Sequence, residues 1–299
     1  MPCNLKENIR FAIQTNMFFL RNHNKLKIAL KFKYRHSPRS KWRLKDESLI
    51  PMVQSVVEAI RDITSNSVPP NIKMFKLNDR KAVFRMQEPH NKWKPFVVKT
   101  FLLNHLEDRL KYHRYGLDEV ANILEAKNRG INVPEVYGYG HINDVIGLVK
   151  GSIIILEDLS DMSTIGTLMH TKPEDECSKI FMHTVPLFVS LYKANCNHVD
   201  INTGTVLLCE HKLNSPVFLL DFQHAKFYDL PSAEILMFEA GYFSKSCSNW
   251  VSSETISNWL NEIFNAIGIN NEAEKGKMIE YFNYYFGAEL SRKKRKAIR

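Results

Sequence analysis

The sequence predicts an α+β protein, with strands crowding its first half and helices its second. Three observations carry this. Between residues 72 and 101, short runs rich in β-branched and aromatic residues alternate with polar turns, and the last, FVVKTF, embeds a lysine. From Pro173 onward, apolar residues recur instead at helical spacing. Within that half lies one hairpin, HVDINTGTVLL, a polar turn, then VFLLDFQHA, with Asp200 before its first strand and Asp221 closing its second.

At 299 residues the chain is long enough for one large or two moderate domains, and 44% hydrophobic content fits a globular protein. No run approaches the ~18 apolar residues that span a bilayer. Residues 11–20 are fairly apolar, but no small-residue cleavage site follows them, so a signal peptide is not expected. Five cysteines without C-x-x-C spacing read as free thiols of a reducing cytoplasm and give no zinc signature. The formal charge of +9 divides unevenly. Residues 1–45 carry twelve Lys/Arg against Glu7 alone, residues 291–299 carry six more, and the body between has 23 basic and 31 acidic residues. A body of that sign, with no recognition motif, argues against nucleic acid as a partner.

In chain order, Leu5, Ile9, Ala12 or Ile13, Met17 and Leu20 recur at helical spacing beside Lys6 and Arg10. Such a segment either lies on an anionic membrane surface or docks on the body. Lys25 to Lys45 reads as a basic arm, studded with Phe32, Tyr34 and Trp42 around the Ser37-Pro38 turn. A helix follows from Ser48 to about Thr64, with Ile50, Val53, Val56, Val57 and Ile60 on one face, and Pro69-Pro70 stops it. Strands are predicted over 72–77 and 82–86 around Asn78-Asp79-Arg80, and over 95–101. A lysine in a β-branched run must find a partner or water, so Lys99 is either a functional residue or the solvated lysine of an edge strand. The next helix sets Leu117, Val120, Ala121 and Leu124 on one stripe, leaves Glu119 off it, and ends at Gly130. Strands over 135–140 and 152–156 lead to Glu157-Asp158-Leu159.

A helix from Pro173 to about Ala194, kinked at Pro186, delivers the chain to His198. After Asp221 only about ten residues precede the helical signal at Pro231-Ser232, too few for a long segment that seats a peptide substrate. Two aromatic-rich helices close the body, from Ser253 to about Ile267 and from Asn271 to Phe286. Asn271 and Glu274 have capping-box spacing.

His-x-Asp, strand, turn, four apolar residues and Asp-Phe together resemble the catalytic loop and metal-binding Asp-Phe-Gly of protein-kinase-like enzymes. More closely, the chain resembles the bacterial lipopolysaccharide core kinases, which phosphorylate heptose or Kdo sugars of the inner core. FVVKTF, KYHRYGLDE, GINVPEVYGYG, ILEDL, HVDINTGTVLL, LLDFQHA and LSRKKRK carry the resemblance, over residues 70–299. It implies a two-lobed protein-kinase-like fold, with a small, mostly antiparallel N-lobe and a mainly helical C-lobe. With the charge division, the chain then parses as a basic arm (1–45), an N-lobe (46–157), a C-lobe (158–290) and a basic tail (291–299).

The resemblance also implies roles. Lys99 would grip the α- and β-phosphates of ATP, and Glu119 would hold that lysine. Glu157 and Leu159 would present the hinge to adenine. Asp200 would act on the acceptor hydroxyl and Asp221 on Mg²⁺, with His198 a scaffold of the loop. The first glycine is Gly116, so no glycine-rich loop precedes Lys99, and no G-x-x-x-x-G-K occurs anywhere. The 77–82 turn is therefore expected to cover the phosphates with its N–H groups and with Arg80 or Lys81. Thr205 stands where kinases place a second metal-binding Asn, leaving Thr205 and Asn202 as candidate ligands.

The expected activity is transfer of phosphate from ATP to a sugar hydroxyl of the lipopolysaccharide inner core. A small-molecule kinase of the aminoglycoside or choline type, and an inactive kinase-shaped binding protein, are the alternatives. Retention of Lys99, Glu119, Asp200 and Asp221 together argues against the inactive protein. The basic ends suggest a peripheral site at the cytoplasmic face of the inner membrane, since each Lys or Arg near an anionic surface contributes about 1 kcal/mol.

Overall fold

The computed structural model describes residues 22–64, 69–87, 93–209 and 215–299. The apolar stripe over 5–20 and most of the 209–216 turn lie outside them. Two compact units divide the chain: residues 1–124 with 135–158, and residues 125–134 with 159–299.

The first unit is built on one antiparallel sheet. After a helical stretch over 22–29 come β1 (Phe32–Ser37), β2 (Ser40–Leu44), helix α1 (Ile50–Thr64), β3 (Ile72–Asn78), β4 (Lys81–Met86) and β5 (Phe96–Leu102). Helices α2 (Leu106–Tyr112) and α3 (Tyr115–Asn128), then β6 (Val136–Asn143) and β7 (Val149–Glu157), follow. Sheet order is β1-β2-β6-β7-β5-β4-β3. Val53 and Val56 of α1 pack with Phe84, Val98, Ile153 and Ile155 of the sheet in one core.

Residues 32–44 correct the expected arm. They form the β1–β2 hairpin, and β2 pairs with β6, because Trp42 and Leu44 alternate with Lys41 and Arg43. Period-two alternation puts both apolar side chains into the core, where they are almost fully buried. Trp42 in turn needs Gly140 opposite it, where a Cβ would come within 2.4–2.6 Å of three indole carbons. Gly140→Ala is expected to cost about 1–3 kcal/mol as overpacking, read as a lowered urea midpoint.

The second unit is mainly helical. Short strand β8 (Ser163–Thr164) and helices α4 (Ile165–Thr171), α5 (Glu174–Met182) and α6 (Val185–Lys193) lead to β9 (Cys196–Asn197), β10 (Val206–Leu208), β11 (Phe218–Leu219) and β12 (Lys226–Phe227). Helices α7 (Ala233–Cys247), α8 (Ser253–Ile267), α9 (Glu272–Gly287) and α10 (Arg292–Arg295) complete it. The helix expected to kink at Pro186 is instead broken into α5 and α6. A proline ring clashes with the carbonyl four residues back, here Met182, where α5 ends. Pro186 then stands in the first turn of α6, after Val185, where its missing N–H has no partner to lose. Buried Thr184 spans the break, donating to the Phe181 carbonyl at 2.7 Å and accepting from Trp259 at 3.0 Å. Phe181, Phe188, Phe243 and Trp259 close around it, the Phe188 and Trp259 rings 4.7 Å apart. On α9, the Asn271 side-chain Oδ1 accepts from the N–H groups of Ala273 and Glu274, the predicted start.

Candidate active site

In the first unit, Lys99 is not on an edge. Strand β5 lies between β4 and β7, and Lys99 faces Val83 on one side and Ile154 on the other. Its side chain is 5% exposed and ion-paired with Glu119 of α3, which is 2% exposed. Two ions in so dry a setting lose several kcal/mol of hydration each, so this pair is poor material for stability alone. The N–H groups of the 77–82 turn differ from expectation. Arg80 and Lys81 both donate to the Asn78 side chain, at 3.1 and 2.8 Å, because Asn at a tight hairpin caps its own turn. The Arg80 guanidinium is paired with Asp108 at 3.3 Å and lies over Tyr112, and Lys81 lies over Phe101. Glu157, ending β7, accepts from the Glu135 N–H at 3.0 Å, and Asp158 pairs with Arg85 at 2.7 Å. The boundary between the units falls after Asp158, with Leu159 the first residue beyond.

In the second unit, β10 and β11 pair antiparallel, Val206 opposite Leu219. The approach to β10 and the exit from β11 are therefore at one end, which is where Asp200 and Asp221 stand. His198, fully buried, ties the two sides: its Nε2 meets the Leu220 carbonyl at 2.8 Å and its ring packs edge-on against Phe222. Both carboxylates sit beside unusual backbone. Val199 has φ +78° and Asp221 φ +64°. A β-branched residue at positive φ is strained and persists only where its surroundings over-determine it.

Those surroundings are two ionisable side chains that the sequence reading missed. Val199 N–H donates to the Glu239 carboxylate of α7 at 2.9 Å, and the Val199 carbonyl accepts from Arg295 of α10 at 2.8 Å. Glu239 carries the signal that singled out Lys99, a charge inside an apolar run (ILMFEAGYF), and it is fully buried. Burial pushes its carboxyl up to about 8, against the opposing pull of the Val199 and His198 N–H groups. As pH rises from about 5 towards 8, folded Glu239 keeps a proton that the unfolded glutamate has released, so stability falls with pH by up to about 1.4 kcal/mol per unit. Glu239→Gln is expected to flatten that decline, measured as urea midpoints across the same range.

Arg295 also reaches Asp200 at 2.7 Å, and Arg292 reaches its other oxygen at 3.1 Å. The basic tail is thus packed on the loop that carries Val199 and Asp200. Asn197 donates to the carbonyls of Arg295 and Ile298, and the Tyr228 hydroxyl donates to that of Ile298. Lys296 donates to His224 at 2.9 Å. Burial first, and then Lys296 and Arg292, press His224 down to about 4, so it is neutral and accepts. Lys293, Lys294 and Arg299 remain exposed.

Of the candidate metal ligands, Asn202 and Thr205 are turned to the loop itself. The Asn202 amide oxygen accepts from Gly204 N–H at 2.8 Å, and its NH₂ donates to the Asp200 carbonyl. The Thr205 hydroxyl exchanges bonds with the Asn202 main chain, both at 3.0 Å. Asp221 offers an exposed carboxylate at the same end, and among the described residues no group of three or more His, Cys, Asp and Glu could hold a cation. That donor set fits Mg²⁺, which binds through one or two carboxylates and completes its shell with substrate phosphates and water.

A sequence model described as the lipopolysaccharide kinase (Kdo/WaaP) family matches residues 79–231, just over half of the chain. No curated protein matches it in sequence. Among solved structures, the chain is similar to one described as WaaP in complex with acyl carrier protein. The two share 15% identity at a TM-score of 0.50, over 71% of this chain and 87% of that one. At such low identity the likeness bears on the fold.

Proposed function

Since the chain belongs to the lipopolysaccharide kinase (Kdo/WaaP) family, we propose that it transfers phosphate from ATP to a hydroxyl of a heptose or Kdo sugar in the inner core. The observation that carries this reading is the hairpin β10–β11, which holds Asp200 and Asp221 at one end with the loop backbone pinned by His198, Glu239 and Arg295.

Asp200 receives and orients the acceptor hydroxyl. Phosphoryl transfer passes through a loose transition state in which positioning counts for more than covalent chemistry. Its two guanidinium contacts suit that task, because they fix the plane of the carboxylate. Lys99, held by Glu119, binds the α- and β-phosphates, and the segment from Glu157 to Leu159 receives adenine. Asp221 holds Mg²⁺, which when bound neutralises charge on the phosphates. Arg80 and Lys81 stay at the rim of the nucleotide site, and Asn202 and Thr205 shape the loop.

Mass spectrometry of the inner core from cells with and without the gene tests the reading. A phosphate missing from one heptose or Kdo without the gene is the expected result, and identical cores would refute it. We place the enzyme at the cytoplasmic face of the inner membrane, held by its basic surfaces. Among the described residues no helix is long and apolar enough to cross a membrane. Attachment through basic side chains is screened by salt, so sedimentation with anionic vesicles is expected to be lost at high salt.

A further inference from the structure

The β1–β2 hairpin carries its charge on one face. Lys33 stands directly across from Arg43, and Arg35 across from Lys41. One strand further in, Arg43 pairs with Tyr139 and Lys41 with His141. Like charges directly opposite each other destabilise a sheet. The register cannot relieve them, since a slip of one residue would turn Trp42 and Leu44 out of the core. Among the described residues, none of these four cations takes a side-chain hydrogen bond or an ion pair. Residues 1–21 are themselves net basic, with Lys6, Arg10 and Arg21 against Glu7.

This face is walled into a cavity of about 560 Å³ by His23 and Leu26 of the 22–29 helix and by His113, Arg114 and Leu117 around the start of α3. Tyr139, paired with Arg43, supplies ring surface, and among the described residues no carboxylate lines the cavity. Nearby Asp118 is taken by Asn22 at 3.0 Å and Arg114 at 3.8 Å. Burial, then neighbouring cations, hold His23 and His141 below the ordinary histidine range, leaving both neutral at pH 7 and able to hydrogen-bond. Lys99 and Glu119 have no part in the lining.

A fold keeps an unanswered cation ladder at a cost in stability, and a ligand can supply the missing charge. We infer that this cavity binds a ligand carrying more than one phosphate group. Arg and Lys make charge-assisted bonds to phosphate oxygens. The two cross-strand pairs lie two residues apart, roughly 7 Å along the strands, which suits separate phosphate groups. The volume suits a small molecule or a lipid headgroup. Nothing in this depends on phosphoryl transfer by Asp200 and Lys99.

The test is a calorimetric titration of the full chain with tripolyphosphate at low salt, comparing wild type with Lys33→Gln/Arg43→Gln and with Arg35→Gln/Lys41→Gln. Each double variant should bind about tenfold more weakly or worse, as loss of charge-assisted hydrogen bonds requires. Without ligand, each should also melt at a higher temperature than wild type, because a like-charge pair is gone. Phosphatidylglycerol vesicles that compete with tripolyphosphate, where phosphatidylcholine vesicles do not, would identify a lipid headgroup as the source. Competition by neither would identify a soluble phosphate ester. Equal affinity in wild type and both variants, or no binding by wild type to tripolyphosphate or phosphatidylglycerol, overturns the inference. So does a lower melting temperature in both variants.

Discussion

Asp200→Asn is expected to stop phosphoryl transfer while nucleotide binding stays nearly unchanged. The substitution keeps the shape of the loop but removes the charge that receives the hydroxyl proton, and losing a positioned base costs roughly 10²–10⁴ in rate. It also leaves Arg292 and Arg295 facing a neutral amide where they now meet a carboxylate at 3.1 and 2.7 Å. Some loosening of the tail should accompany the loss, visible as faster hydrogen exchange over 292–298. Asp221→Ala is expected to behave differently, weakening Mg·ATP binding itself through loss of the proposed cation ligand. Titrating nucleotide into both variants separates the roles, and equal loss of binding in the two would refute the division.

The second large effect belongs to the buried pair. Glu119→Gln is expected to lower turnover although Glu119 is assigned no substrate contact, because Lys99 loses the partner that aims it. Breaking a buried ion pair by removing one member typically costs about 3–5 kcal/mol, so both single variants should also unfold earlier. In a double-mutant cycle, Lys99→Ala and Glu119→Ala should be strongly non-additive in activity, with a coupling of about 0.5–3 kcal/mol. Independent effects would mean that the pair serves the fold and not the phosphates.

The residues legible in the sequence were those whose surroundings made them expensive. A lysine inside FVVKTF and a glutamate off a helix stripe had to meet something, and they meet each other. Asp200 and Asp221 were legible because the strands between them predict a hairpin, and a hairpin brings its two ends together. Glu239 gave a comparable signal in ILMFEAGYF, but no motif pointed to the Val199 N–H as its partner. The tail was legible only as charge. That Arg295 would reach the Val199 carbonyl, 96 residues away, follows from packing of Ile298 and Asn197 and not from any local pattern. The β1–β2 hairpin was hidden by its composition, because the cations alternating with Trp42 and Leu44 outnumber them and read as a solvated arm. In the 77–82 turn, the Arg80 and Lys81 amides bond the Asn78 side chain, a local pairing that the sequence reading did not foresee.

The most direct measurement of the central claim is phosphate transfer by the purified chain. Inner-core oligosaccharide stripped of phosphate is incubated with Mg²⁺ and γ-labelled ATP, and the product is mapped by tandem mass spectrometry. One labelled phosphate on a heptose or Kdo hydroxyl with wild type, and none with Asp200→Asn, is the predicted result. An unlabelled core with wild type, or equal labelling by Asp200→Asn, would contradict the account.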